Sequence, residues 1–299
     1  MRAVDPSAGV YYSILLIFLH RGGSAGRKRD AEGAQGVSVS LLKVANLSFQ
    51  YSTQSEPLFS RVSFQIDSAD RVGLVGPNGS GKSTLLRVIA GELKANTGIV
   101  VPKRRLRLAY IPQPSLSGAR ESLWDYVMST IPRLLEIGRE AGRLEPQMHG
   151  RQRAIAYVKL LNSFEERGGF QFESEAENVL RGLGFGASDL ELPMASLATR
   201  QRSLAQLAKL LLTPADLLLI DEPTMYLEVT EREWLEAYLL GLNSAYVVAS
   251  HDGVFLSRAT GRTLDLRAGV LTVYEANYEA YLKQCALSQV RAMGALPAR

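Results

Sequence analysis

The chain has 299 residues, 46% hydrophobic and 21% charged, with a net charge of +4 and a pI near 9.1. Such a length and composition fit one large globular domain or two small ones. The single cysteine, Cys285, excludes an intramolecular disulfide, and no Cys/His spacing fits structural zinc, so a cytoplasmic, reducing setting is expected. The basic excess permits an acidic partner such as nucleic acid without requiring one.

In chain order, residues 1–40 read as a disordered N-terminal extension, rich in Gly, Ser, Ala and Arg and including Arg27, Lys28 and Arg29. Its apolar run VYYSILLIFL, Val10 to Leu19, is far short of the roughly 20 residues of a spanning helix, so no intrinsic membrane span is expected. Ser24, Ala25 and Gly26 follow at a plausible distance for signal cleavage, but Asp5 offsets Arg2 where a signal peptide carries net positive charge. A loose extension or a start codon set too far upstream is the simpler reading.

From residue 41 the pattern becomes short apolar runs broken by turns. LLKVANLSFQY and LFSRVSFQI predict two strands, and RVGLVG a short buried strand entering a glycine-rich turn. STLLRVIAGEL then predicts a helix burying Leu85, Leu86, Val88 and Ile89. TGIVVPKRRLRLAYIPQ predicts two further strands, with Leu106, Leu108 and Tyr110 on one face. Lys103, Arg104, Arg105 and Arg107 cluster there; a solvated strand edge explains them more simply than a phosphate-contacting patch. Residues 118–185 read as an inserted, highly charged helical subdomain, in which Ile155, Val158, Leu161 and Phe164 are spaced as a core-facing stripe. The remainder returns to alternation: a helix over Leu204 to Leu212, strand LLLID, a helix near Trp234, strand AYVVAS and a hairpin RTLDLRAGVLTVY. Strands alternating with helices predict a largely parallel α/β core spanning residues 41–275, with 276–299 beginning a linker.

Within that order, GPNGSGKST fits the pattern G-x-x-x-x-G-K-[ST] between a strand and a helix, the context that makes the match specific. Gly76, Pro77, Asn78, Gly79, Ser80, Gly81, Lys82, Ser83 and Thr84 are therefore the expected phosphate cradle. Lys82 would reach the β- and γ-phosphates and Ser83 would hold Mg²⁺. Asp221 and Glu222 end the strand LLLID, placing one carboxylate for the Mg²⁺ shell and one to polarise an attacking water as general base. His251 follows another apolar strand, where it suits a γ-phosphate contact.

GPNGSGKST, IPQ, LLLIDEPT and ASHD in this order resemble an ATP-binding cassette. The resemblance implies a P-loop ABC ATPase fold with an antiparallel β subdomain and a helical subdomain, and ATP and Mg²⁺ as ligands. It implies that Gln113 is the glutamine linking Mg²⁺ and water to the helical subdomain, and that Tyr51 stacks on adenine, with a plain core tyrosine as the rival reading. DEPTMYLE, SHDGVFL and TVYEANYEAYLKQ are similar to phrases of the ABC-F class, as are the long charged interval after Gln113, matching that class's inserted arm, and FEERGGFQFESEAENVLRGLGF. Over residues 41–285 that resemblance implies an ATPase facing the ribosome and its RNA, acting in translation or in antibiotic resistance. The alternatives are the ATP-binding subunit of a membrane transporter, partnered by transporter subunits, and an ATP-binding module without turnover.

One stretch departs from the pattern. Where the family has LSGGQ or LSGGE, this chain has Leu197, Ala198, Thr199, Arg200 and Gln201. By the resemblance, the serine hydroxyl and glycine N–H groups there grip the γ-phosphate of the opposite cassette. Ala198 cannot donate, and side chains at Thr199 and Arg200 intrude where backbone should approach. Loss of such a donor slows turnover by roughly 10² to 10³. Arg200 could lend phosphate a compensating charge; degeneration is the simpler reading. Met225, Tyr226 and Glu228 replace Asn, His and Asp and suggest an altered seam with a second cassette, which would come from another copy or another chain. ATP binding should survive, with weak or partner-dependent hydrolysis.

Overall fold

The structure is a computed structural model describing residues 39–53, 55–110, 120–144 and 151–294. The apolar run at Val10 to Leu19 and the residue Gln113 lie outside the described residues. The described residues of 120–181 and 185–198 form one compact unit, and those of 39–110, 182–184 and 199–294 form another.

The second unit holds two sheets. Strands β1 (Ser40–Phe49), β2 (Phe59–Asp67) and β4 (Thr97–Pro102) form an antiparallel sheet in the order β2-β1-β4. Strands β3 (Arg71–Val75), β5 (Leu108–Tyr110), β6 (Leu217–Asp221), β7 (Ala245–Ala249), β8 (Arg262–Arg267) and β9 (Val270–Tyr274) form a second, in the order β5-β6-β7-β3-β8-β9. Its first five strands run parallel and β9 returns antiparallel as the expected hairpin. The near-continuous apolar spelling of β3, β6 and β7 reflects this placement, since central parallel strands are covered on both faces. Val72, Leu74, Leu217, Leu219 and Val247 share one core with Leu42, Val44, Phe59 and Ile66 of the antiparallel sheet.

Helix α1 (Lys82–Ile89) buries Leu85, Leu86, Val88 and Ile89 into that core, the four residues expected to do so. Burying one such aliphatic side chain contributes about 1.5–3 kcal/mol, so α1, and with it the loop that opens it, is firmly seated. Leu106, Leu108 and Tyr110 pack on the same core. Of the neighbouring basic cluster, Arg107 is committed to Asp216, with NH2 2.6 Å from Oδ1.

The first unit is helical: α2 (Leu123–Met128), α3 (Pro132–Leu144), α4 (Arg151–Glu166) and α5 (Gly169–Gly182). Ser122 caps α2 by accepting the N–H of Asp125 at 3.1 Å. Leu134, Ile137 and Phe164 form a small core on which Ile131, Leu160, Phe170 and Phe172 pack. This corrects the stripe expected on α4. Ile155 and Val158 are exposed, and the inward face is instead Tyr157, Leu160 and Phe164. Helical spacing was right and the phase was off by about one position, because the helix turns toward Leu134 and Ile137 of α3.

After Ala198 come α6 (Thr199–Leu212), α7 (Val229–Gly241), α8 (Gly253–Ala259) and α9 (Tyr278–Gly294). Among the described residues, no helix is long and apolar enough to cross a membrane.

Candidate nucleotide site

Parallel pairing decides where the site lies. Strands β6, β7 and β3 are adjacent and parallel, so the segments leaving their carboxyl ends emerge along one edge of the sheet. Those segments are Asp221–Glu222, Ser250–His251 and the loop Gly76–Gly81. Residues far apart in sequence thereby meet: Ser83 Oγ donates to Asp221 Oδ1 at 3.1 Å across 138 positions.

The loop begins at Gly76, whose φ of 152° and surroundings both exclude a side chain, since a Cβ there would lie 2.2 Å from the carbonyl oxygen of Leu266. Gly81, with φ 101°, forms the N-cap of α1 in the left-handed conformation, and a Cβ would press on Leu58 at 2.9 Å. Lys82 is only 6% exposed. Its Nζ donates to the carbonyl oxygens of Gly76 (3.0 Å) and Pro77 (3.3 Å) and stands 3.0 Å from His251 Nε2.

The site's charges are short of solvent. Burial pushes the Lys82 ammonium below its ordinary range, against the pull of Glu222 and Asp221. Burial also raises the carboxyls of Asp221 and Glu222, opposed at Asp221 by the Ser83 hydroxyl and Lys82, and at Glu222 by His251 and Lys82. Glu222 Oε2 accepts the N–H of His251 at 3.3 Å, whereas the buried Oε1 lies 3.2 Å from His251 Nε2 and makes no hydrogen bond. The Ser80 hydroxyl is likewise buried without a partner. Buried polar atoms rarely stay unpaired. Two orphan oxygens beside a desolvated lysine and a left-handed glycine turn fit a polyanion with a cation: the loop and Lys82 suit phosphates, Ser83 and Asp221 suit Mg²⁺, and Glu222 Oε1 is free to accept a proton.

Tyr51 is half-buried; its ring meets Phe49 edge to face at 4.8 Å and its hydroxyl lies 3.0 Å from Thr84 Oγ1. It is thus tied to the first turn of α1, beside the loop. The structure brings together Gly76–Thr84, Tyr51, Asp221, Glu222 and His251, and Gln113 lies outside the described residues. Sequence reasoning missed Thr224 and Ser250, whose hydroxyls lie 2.9 Å apart and tie the segment after Glu222 to the segment bearing His251. Their membership in the runs EPT and ASHD was the available signal.

With this geometry in hand, comparison with known proteins settles the family. The model described as "ABC transporter" matches residues 59–225, a span that includes the phosphate loop and the Asp221–Glu222 pair. The chain belongs to the ABC transporter family. As an ABC ATP-binding cassette, it is 32% identical over 260 residues to the "Uncharacterized ABC transporter ATP-binding protein YfmR" of Bacillus subtilis, covering 85% of this chain and 40% of that protein. It is 28% identical over 264 residues to "ABC transporter F family member 2" of Arabidopsis thaliana, covering 85% and 38%. The cassette therefore spans less than half the length of these relatives. Among solved structures, an "ATP binding subunit of ABC transporter" superposes with a TM-score of 0.61 at 20% identity, over 83% of this chain and 94% of that one. The fold is thus that of a P-loop ABC ATPase, as the sequence implied.

Proposed function

We propose that this cassette binds Mg-ATP and hydrolyses it weakly, or only beside a second cassette, as an ABC-F type protein acting at the ribosome in the cytoplasm. The reading places the cassette at residues 41–275, with 118–185 as its inserted helical part and 276–299 as the start of a linker. The observation that carries it is the convergence of Lys82, Ser83, Asp221, Glu222 and His251 on one sheet edge, with Glu222 Oε1 making no hydrogen bond and lying 3.2 Å from His251 Nε2.

In this reading the loop amides of Gly76–Gly81 and the N-terminus of α1 bind the phosphates, and Lys82 exchanges its contacts with two carbonyls for phosphate oxygens. Ser83 and Asp221 would hold Mg²⁺, to which the family resemblance also assigns Gln113; the ion would supply charge neutralisation at the phosphates. Glu222 takes the proton from the attacking water. Its burial favours this, because a carboxylate raised toward the working pH is a better base. In this reading His251, 3.2 Å from Glu222, contacts the terminal phosphate, and Tyr51 offers its ring to adenine.

The weakness of turnover is inferred from Ala198, Thr199 and Arg200, which cannot present the donors of a complete signature. The ribosomal role is supported by the class-specific phrases DEPTMYLE and SHDGVFL and by relatives named as F family members. A second reading, the ATP-binding subunit of a membrane transporter, is favoured by the similarity to a solved subunit of that kind. Calorimetry with Mg-ATP and co-sedimentation with ribosomes and with membrane vesicles test the proposal. ATP binding plus ribosome association supports it; membrane association without ribosome association selects the second reading, and absence of ATP binding overturns both.

A further inference from the structure

Arg200 stands where a complete signature has a glycine, on the first turn of α6, and its guanidinium is already engaged within its own chain. NH2 reaches both carboxylate oxygens of Glu231, at 2.7 and 2.6 Å, and Nε donates to the carbonyl of Tyr226 at 3.0 Å. A third carboxylate oxygen, on Glu228, lies 3.4 Å from NH2. Glu231 is itself only 7% exposed, and it accepts the N–H of Glu228 at 2.8 Å, which closes the first turn of α7. One guanidinium thus joins the starts of two helices to the carbonyl that ends the turn Pro223–Tyr226.

That turn is the one that leaves Glu222. Glu222 has φ 48° and ψ 50°, a left-handed conformation for a residue with a full side chain. Such a conformation persists only where the surroundings fix it from several directions. Three fixings are present here: the N–H of Glu222 donates to Ala249 O at 2.8 Å, Thr224 Oγ1 meets Ser250 Oγ at 2.9 Å, and Arg200 holds Tyr226 at the exit. The first two hold the entrance and middle of the turn; at the far end the N–H of Leu227 donates to Thr224 O at 3.3 Å, and Arg200 adds a side-chain tie to the Tyr226 carbonyl.

We propose that Arg200, braced by Glu231, is a positioning residue for Glu222, replacing the missing signature glycine with an internal tie rather than with a charge offered to phosphate. The proposal rests on the reading of Glu222 as general base. It accounts for the residue type: an arginine can satisfy a carboxylate and a carbonyl with separate nitrogens, whereas a lysine has one nitrogen for both. It also removes the phosphate-contacting role, since reaching outward would leave Glu231 buried without its cation.

The test uses the full chain and four variants, Arg200→Lys, Arg200→Ala, Arg200→Gly and Glu231→Gln. Amide hydrogen exchange over residues 222–229 should speed by about fivefold or more in each, because local opening is governed by these contacts. Arg200→Lys should do so while keeping the melting temperature near that of the parent. ATP affinity by calorimetry should stay within about twofold, and in any preparation that turns over, kcat should fall about tenfold with KM unmoved. Parental exchange in Arg200→Lys would overturn the proposal. So would an Arg200→Ala variant that loses ATP affinity while Glu231→Gln keeps it, or a rise in turnover on Arg200→Gly. Absence of ATP binding by the parent protein would defeat the nucleotide reading instead, while the exchange measurement would still decide whether Arg200 holds the turn.

Discussion

Lys82 Nζ stands 3.0 Å from His251 Nε2 while it also donates to the carbonyls of Gly76 and Pro77. An ammonium has donors and no acceptor, so this contact is a hydrogen bond from Lys82 when Nε2 of the imidazole carries no proton. The lysine is thus held by neutral acceptors of its own loop and by a residue two positions past the neighbouring parallel strand β7. In the proposed reading these bonds are exchanged for phosphate oxygens.

Replacing Lys82 with alanine should therefore separate binding from stability. Truncating one partner of a buried charge contact costs about 2–5 kcal/mol, so ATP affinity should fall by roughly 30-fold or more in calorimetry. Stability should change little, because the same substitution removes an ammonium that burial disfavours. A melting temperature within about 4 °C of the parent is expected, which is about 1 kcal/mol or slightly more for a chain of this size. A large drop in melting temperature would make Lys82 a structural residue first.

Glu222→Gln should retain ATP binding and lose turnover. Glutamine can still accept the N–H of His251, now made by Oε2 at 3.3 Å, but it cannot take a proton from water. Loss of a general base lowers rates by about 10² to 10⁴. Affinity should hold or rise, since a carboxylate whose charge is already disfavoured by burial no longer faces the phosphates. Equal turnover in variant and parent would remove Glu222 from the chemistry.

Much of this was legible because the informative signals are local. The strand RVGLVG, the loop and α1 follow one another without a gap, so the cradle could be read from spacing alone. The acidic pair ending LLLID was equally plain. What could not be read were relationships set by packing. Nothing near Arg200 announces that Glu231 lies beneath it, and a charge opposite a phosphate was as consistent with the spelling as a charge opposite a buried carboxylate. On α4, two overlapping apolar stripes share the same spacing, and only the presence of Leu134 and Ile137 selects Tyr157, Leu160 and Phe164 over Ile155 and Val158. Residues 278–294, within the stretch proposed as the start of a linker, form α9, whose Tyr281 donates to Asp265 at 2.9 Å, a partner sixteen residues away.

Gly76→Ala should damage the fold as well as the site. The added methyl carbon would meet the Leu266 carbonyl oxygen at 2.2 Å, and β8 cannot withdraw while it pairs with β3 through Leu74–Leu264 and Val75–Asp265. Overpacking of this kind costs about 1–3 kcal/mol, with more added because φ at Gly76 is 152°. The urea midpoint should fall and ATP binding should weaken together. A variant that unfolds at the parental midpoint would show that the loop does not rest on β8.

Glu173, on α5, should give the helical unit a pH dependence of its own. Burial, and secondarily the like charge of Glu177 one turn on, raise its carboxyl from the usual 4.5 to about 7. Below pH 4.5 the group is protonated folded or unfolded, so its contribution to stability is fully present. As pH rises toward about 7 the unfolded chain ionises first, and stability falls by up to about 3 kcal/mol, less where solvent reaches the half-buried carboxyl. Above that range the loss is complete. Glu173→Gln removes the ionisation, so its advantage over the parent in urea unfolding should be negligible near pH 4.5 and greatest near pH 8. An advantage of the same size at both pH values would assign the effect to packing and leave the carboxyl with no part in it.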